Sequence, residues 1–118
     1  MTTTAQSDIR SYKRFSLTET LTATIITKSS TFIGVITDIS ENGLGFRYIG
    51  EESTLTGSCN VNISHDGNIL CEEVKAQVIY NHIITPKHAF NYVLMYKCGI
   101  AFSENLSHLQ MLKLTKHF

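Results

Sequence analysis

Two short stretches of this 118-residue chain carry side chains whose types and spacing could do chemistry. The first is Arg10-Ser-Tyr-Lys-Arg14, two guanidiniums four residues apart with Lys13 between them. In a turn or helical twist, residues four apart point the same way. Guanidinium is planar and always charged, so it takes a phosphate in fork geometry, pairs with the O6 and N7 edge of guanine, or stacks on a base. Two arginines near a terminus also read simply as a solvated basic patch. The second stretch is Asp38-Ile-Ser-Glu-Asn-Gly43. If a strand runs through it, period two puts Asp38 and Ser40 on one face and Ile39 opposite, in the core. A carboxylate there can accept the N1 and N2 hydrogens of guanine, a serine hydroxyl can hold a phosphate oxygen, and Gly43 lets the backbone approach a ligand. The same residues suit a plain hairpin, with Asp38 and Ser40 as turn formers and Gly43 supplying a positive φ.

The elements that must position these groups are strands. From Phe15 onward the chain is rich in Thr, Ile, Val and Tyr with an apolar period close to two, the pattern of half-buried pleated segments. Leu17, Leu21, Ala23 and Ile25 can share one face of a first strand. Phe32 to Ile39 predicts a second, Glu41-Asn42-Gly43 a turn, and Leu44 to Tyr48 a third. Asn60 to Ser64 and Ile69 to Val74 flank His65-Asp66-Gly67-Asn68, where Asp-Gly favours positive backbone angles and a tight hairpin. Two further strands are expected at about Lys75 to Thr85 and Phe90 to Phe102, on either side of Pro86. Strands at this spacing with no helix between them are most economically closed into an antiparallel barrel, which removes sheet edges. The period then changes. Leu106, Leu109 and Leu112, with Ser103 or Asn105 as N-cap, predict one amphipathic helix over about 105–116 whose leucines cover a barrel opening.

Composition bounds the rest. Ten basic and ten acidic residues sum to zero, which excludes a broadly basic nucleic-acid binder and an acidic disordered chain. The total hides an asymmetry: residues 1–28 carry four basic and two acidic side chains, 29–73 one and seven, and 74–118 five and one. Arg10, Lys13 and Arg14 fall within five residues, so a local anion site is possible on a neutral protein. Residues 1–8 read as a flexible tail and 9–118 as a single domain, with a barrel over about 15–102. The start has no early positive charge followed by an apolar stretch, and the longest apolar run is Tyr92 to Tyr96. No targeting segment or membrane insertion is therefore expected, and a cytoplasmic location is. Cys59, Cys71 and Cys98 form no C-x-x-C pair and suit reduced, buried thiols.

An R-x-x-x-R before a β-rich domain, a D-x-S-x-x-G beginning 24 residues beyond Arg14, and a closing Tyr96-Lys-Cys-Gly-Ile-Ala-Phe102 before a final helix resemble the PilZ domain family. The resemblance runs from about Ile9 to Phe118. It implies a six-stranded antiparallel barrel with one C-terminal helix that binds cyclic di-GMP, the arginine segment wrapping over the ligand. It assigns Arg10 and Arg14 to guanine edges, stacking and phosphates, Asp38 and Ser40 to guanine hydrogens and a phosphate, and Gly43 to close approach. Ile9, Lys13, Asn42 and Gly99 are secondary candidates. Ile9 stands where another cation would favour a stacked ligand pair, so one ligand per site is expected. The implied protein is a stand-alone, non-catalytic receptor whose arm orders on binding and alters a surface offered to an unidentified protein partner. The alternative is a nucleotide-independent adaptor of pilus or flagellar machinery.

Other chemistries have weaker support. Five histidines and three cysteines lack any C-x-x-C or H-x-x-x-H spacing, so neither a metal nor a cofactor is expected. Cys71 or Cys98 as a nucleophile has no local signature. Tyr48, Tyr80, Phe90 and Tyr92 could stack on single-stranded nucleic acid, yet the acidic middle of the chain lacks the lysines of a backbone-tracking groove, and no nucleic-acid partner is expected.

Overall fold

The computed structural model describes residues 15–16, 19–50, 55–84 and 94–118. Arg10, Arg14, Ile9, Lys13, Leu17, Pro86, Phe90, Tyr92 and the expected tail lie outside the described residues. The strands are β1 (Phe15–Ser16), β2 (Thr22–Ile26), β3 (Thr31–Ser40), β4 (Gly43–Gly50), β5 (Ser58–His65), β6 (Asn68–Ile83) and β7 (Leu94–Phe102), followed by helix α1 (His108–Thr115). Pairing runs β3-β2-β5-β6-β7-β4, and β4 returns to β3. All pairs are antiparallel, so six strands close into a barrel, and the short β1 lies in line with β2 along the edge of β3.

Alternation builds the core as the sequence predicts. Leu21, just before β2, and Ala23 and Ile25 within it face inward with Ile39, Leu44, Phe46, Val61, Ile63, Cys98 and Ile100. The single first strand expected from Phe15 to Ile25 is two, β1 and β2. Tyr48 stacks on Tyr96 at a centroid distance of 5.0 Å inside the barrel, and its hydroxyl donates to Asn81 Oδ1 at 2.9 Å. Asp66 and Gly67 have φ of 48° and 81°, and His65 pairs with Asn68 across them, so the β5–β6 connection is the tight hairpin expected of Asp-Gly.

Two further expectations need correction. The segments 69–74 and 75–85 are one strand, β6, not two. Its alternation breaks at a bulge, where Glu73 takes a φ of 54° and its N–H donates to Asn62 Oδ1 at 2.7 Å. The bulge adds one residue and mimics a strand boundary in the sequence. The helix also starts later than Asn105. Ser107 is the N-cap, its hydroxyl accepting from the Gln110 N–H while the Gln110 side chain accepts from the Ser107 N–H. This capping box sets the phase. Leu106 and Leu114 are buried and Met111 is partly so, whereas Leu109 is 70% and Leu112 47% exposed. Two of the three leucines expected over the barrel opening therefore face away from it.

The three cysteines are free and buried. Burial, reinforced by Cys59, pushes the Cys98 thiol up to about 12, and burial raises Cys59 and Cys71 as well. Only the thiolate attacks an alkylating agent. All three should therefore resist iodoacetamide at pH 8 in the native protein and react together on unfolding, as counted by mass spectrometry. Rapid native labelling of Cys98 would contradict this packing.

Candidate functional site

The outer face of β3, β4, β7 and β6 is organised by two bulges. Thr37 is an extra residue between the Ile36–Phe46 and Asp38–Gly45 pairs. It lets Ile36 and Ile39 both face the core while Asp38 stands half-buried on the outer side. Ile79 is extra between the Val78–Ile100 and Tyr80–Gly99 pairs, and the following turn of the strand lays the Tyr80 ring over Gly99. Between these bulges Gly45 pairs with Gly99, so two bare backbones lie side by side. A Cβ on Gly45 would sit 2.7 Å from Asp38 Oδ1, 3.0 Å from Lys97 Nζ and 3.3 Å from Thr37 Oγ1. A Cβ on Gly99 would sit 2.2 Å from the Tyr80 ring.

The next row across the same strands is Val35, Arg47, Lys97 and His82. Arg47 and His82 are exposed, His82 stacks on Tyr80 at 5.1 Å, and Lys97 donates to the Thr37 hydroxyl. The face thus offers a carboxylate, two cations and an aromatic pair, with Tyr80 packed over Gly99 and the ends of Asp38, Lys97 and Thr37 over Gly45. Such a surface can admit a flat, anionic, hydrogen-bonding molecule: stacking on Tyr80, charge on Arg47 and Lys97, and acceptance at Asp38.

The expected turn is present, and its parts are used internally. Ser40 is fully buried, and its hydroxyl donates to Asn42 Oδ1 at 2.6 Å. Asp38, Ile39 and Ser40 pair one-to-one with Gly45, Leu44 and Gly43, so Ser40 keeps the side that period two gives it, but it is buried there rather than accessible. The Glu41-Asn42 turn is clamped from the other side: Phe102 N–H donates to the Asn42 carbonyl at 2.9 Å and Leu106 N–H to the Glu41 carbonyl at 2.7 Å. Gly43 is not among the positive-φ residues; its missing Cβ leaves room for the Ile100 carbonyl, 2.4 Å from where that carbon would stand. Gly99 does lie in the face, beneath Tyr80. The arginines are outside the described residues, but β1 brings Phe15 opposite Ile39 and Ser16 opposite Asp38. Sequence reasoning missed Arg47, Lys97, Tyr80 and His82 as members of the face. The signal for them was the Gly45 and Gly99 pair, legible only once register is known.

The two glycines at this turn separate fold from site. Gly43→Ala drives a Cβ into backbone that belongs to β7 and should cost about 1–3 kcal/mol. Gly45→Ala meets only the ends of Asp38, Lys97 and Thr37, which can swing aside. It should leave the denaturation midpoint nearly unchanged and displace the Asp38 carboxylate. Urea unfolding of the two variants checks the order; equal losses would contradict it.

No family model and no curated protein matches the chain. Solved structures do. The PilZ domain of YcgR from Escherichia coli, determined with c-di-GMP, superposes with a TM-score of 0.65 over 92% of this chain and 88% of that one, at 14% identity. The chain has a PilZ-like fold. Bacillus subtilis inhibitor of motility, MotI/DgrA, superposes with a TM-score of 0.59 at 19% identity over 92% of this chain. The PilZ-like chain spans 48% of the MotI/DgrA length. Among the described residues no helix is long and apolar enough to cross a membrane.

Proposed function

We propose that this chain is a non-catalytic, cytoplasmic PilZ-type receptor for cyclic di-GMP. In this reading Arg10 and Arg14 close over the face built by Asp38, Gly45, Lys97, Gly99 and Tyr80, and the ordered arm changes the surface met by a protein partner. One observation carries the reading. The pairing of Phe15 and Ser16 with Ile39 and Asp38 leads the chain into the barrel directly beside the second motif, one residue after Arg14. That the residue following Arg14 lies opposite the second motif supports the two motifs acting on one ligand. The E. coli domain with c-di-GMP and the motility inhibitor support a signalling adaptor on this fold. Asp38 and Tyr80 take guanine, and Arg47 and Lys97 add to the arginines' charge. Ser40 acts through the turn it holds, unless its bond to Asn42 opens to a phosphate.

That same bond favours the second reading, a nucleotide-independent adaptor of pilus or flagellar machinery, because a serine already satisfied inside the turn is available to a ligand only at the cost of a buried hydrogen bond. Calorimetric titration of the purified chain with cyclic di-GMP decides between them. Saturable binding of one ligand per chain is expected. Absence of heat at high ligand concentration from a folded protein overturns the receptor reading in favour of the adaptor.

A further inference from the structure

A second group of side chains lies at an end of the barrel and has no part in the face described above. Glu19, just before β2, His65, at the end of β5, and His117, just beyond α1, bring one ligand atom each within 4.8 Å of one another. The two imidazole centroids are 4.5 Å apart. His117 Nδ1 is 2.8 Å from Glu19 Oε1, and His65 Nε2 is 3.7 Å from Glu19 Oε2 and 3.4 Å from Asp66 Oδ2.

The hydrogen bonding sets the ligand atom of His65. Its Nδ1 lies 2.9 Å from the Thr20 carbonyl, which can only accept, so Nδ1 carries the proton and donates. In the neutral ring Nε2 is then a lone pair directed at two carboxylates, an arrangement that is repulsive without a cation between them. A backbone carbonyl on the far nitrogen is also the usual support of a metal-bound imidazole.

From this geometry we propose that Glu19, His65 and His117 form a binding site for a divalent transition-metal ion of the zinc class, with Asp66 or water as the fourth ligand. Tetrahedral bonds of about 2.0–2.1 Å place neighbouring ligand atoms about 3.3 Å apart. The observed contacts of 2.8, 3.4 and 3.7 Å lie near that edge and all three ligand atoms lie within 4.8 Å of one another, so the side chains must draw in to close the shell. Two imidazoles with carboxylates suit Zn²⁺ and its neighbours better than Mg²⁺ or Ca²⁺, which prefer all-oxygen shells. For Nδ1 of His117 to bind the ion, the proton it donates to Glu19 must leave that nitrogen: a neutral ring takes it up at Nε2 as the other tautomer, and an imidazolium releases it to solvent, as His65 does with any proton on Nε2. The bound ion ties three distant parts of the chain together: the entry to β2, the β5–β6 hairpin and the C-terminal end of α1. Sequence spacing hid the site because no two of Glu19, His65 and His117 are neighbours along the chain.

The test uses tag-free, chelator-treated protein titrated with ZnCl₂ by calorimetry and with Co²⁺ by visible absorption. One ion per chain, tetrahedral Co²⁺ bands and a raised melting temperature are expected. His65→Ala and His117→Ala should each weaken binding at least tenfold, with His108→Ala, outside the cluster, unchanged. Since either substitution can loosen the helix, imidazole NMR of the wild-type protein supplies an independent reading: His65 Nε2 and His117 Nδ1 should shift on adding Zn²⁺. No stoichiometric binding by the wild type, binding indifferent to both substitutions, or shifts confined to His82, His88 or His108 would overturn the proposal.

Discussion

Phe46→Ala should lower the unfolding free energy by about 3–5 kcal/mol, the cost of deleting a fully buried aromatic ring and leaving its cavity. Phe46 is the largest side chain among the fully buried ones described. It stacks on Tyr48 at a centroid distance of 5.4 Å, and Tyr48 in turn stacks on Tyr96 and meets Phe32 edge-on. Gly34 makes room for it: a Cβ there would stand 2.8 Å from the Phe46 ring and 2.2 Å from the Arg47 carbonyl. The packed backbone around Gly34 holds the strands in place, so the vacated space cannot collapse cheaply. Domains of this size are stable by roughly 5–15 kcal/mol, so a large share of the margin disappears. Urea denaturation should show a much lower midpoint with an unchanged slope. A loss below about 1 kcal/mol would mean that the barrel interior is not packed as described.

Arg14→Ala and Asp38→Ala should each weaken cyclic di-GMP binding by about 1–3 kcal/mol, that is by roughly 5-fold to 150-fold. The two losses have different origins. A guanidinium removed from the arm takes away a charge-assisted bond to phosphate or guanine; a carboxylate removed from the barrel leaves guanine N–H groups without their acceptor. Asp38 is set by the Thr37 bulge and lies against Gly45, so its removal leaves the core untouched. Calorimetry with both variants, alongside unfolding curves that show intact barrels, checks this. Wild-type affinity in either variant would remove that residue from the site.

The parts of this fold that follow a period were legible in the sequence. Inward Leu21, Ala23 and Ile25, the Asp66-Gly67 hairpin and barrel closure all follow from side-chain alternation and turn chemistry. What escaped was each place where one added residue changes the phase. The bulge at Glu73 split β6 into two expected strands, and the bulges at Thr37 and Ile79 decide where Asp38 and Tyr80 point. Ser40 shows a different limit: period two gives its side of the strand correctly, but not that its hydroxyl is buried and bonded to Asn42. Helix phase was misjudged because the reciprocal bonds of Ser107 and Gln110, rather than Asn105, start the helix. Contacts between residues far apart in the chain, such as Lys97 with Thr37 or His65 with His117, leave no local signature at all.

The central claim is that cyclic di-GMP lies on the outer barrel face beside Asp38. Backbone amide NMR of the isotopically labelled chain, titrated with the nucleotide, tests it most directly. The account predicts the largest shifts at Asp38, Gly45, Tyr80, Lys97 and Gly99, with the amides of Arg10 to Arg14 moving in the same titration. Saturating nucleotide that leaves those amides in place, or that shifts a different face of the barrel, would contradict it.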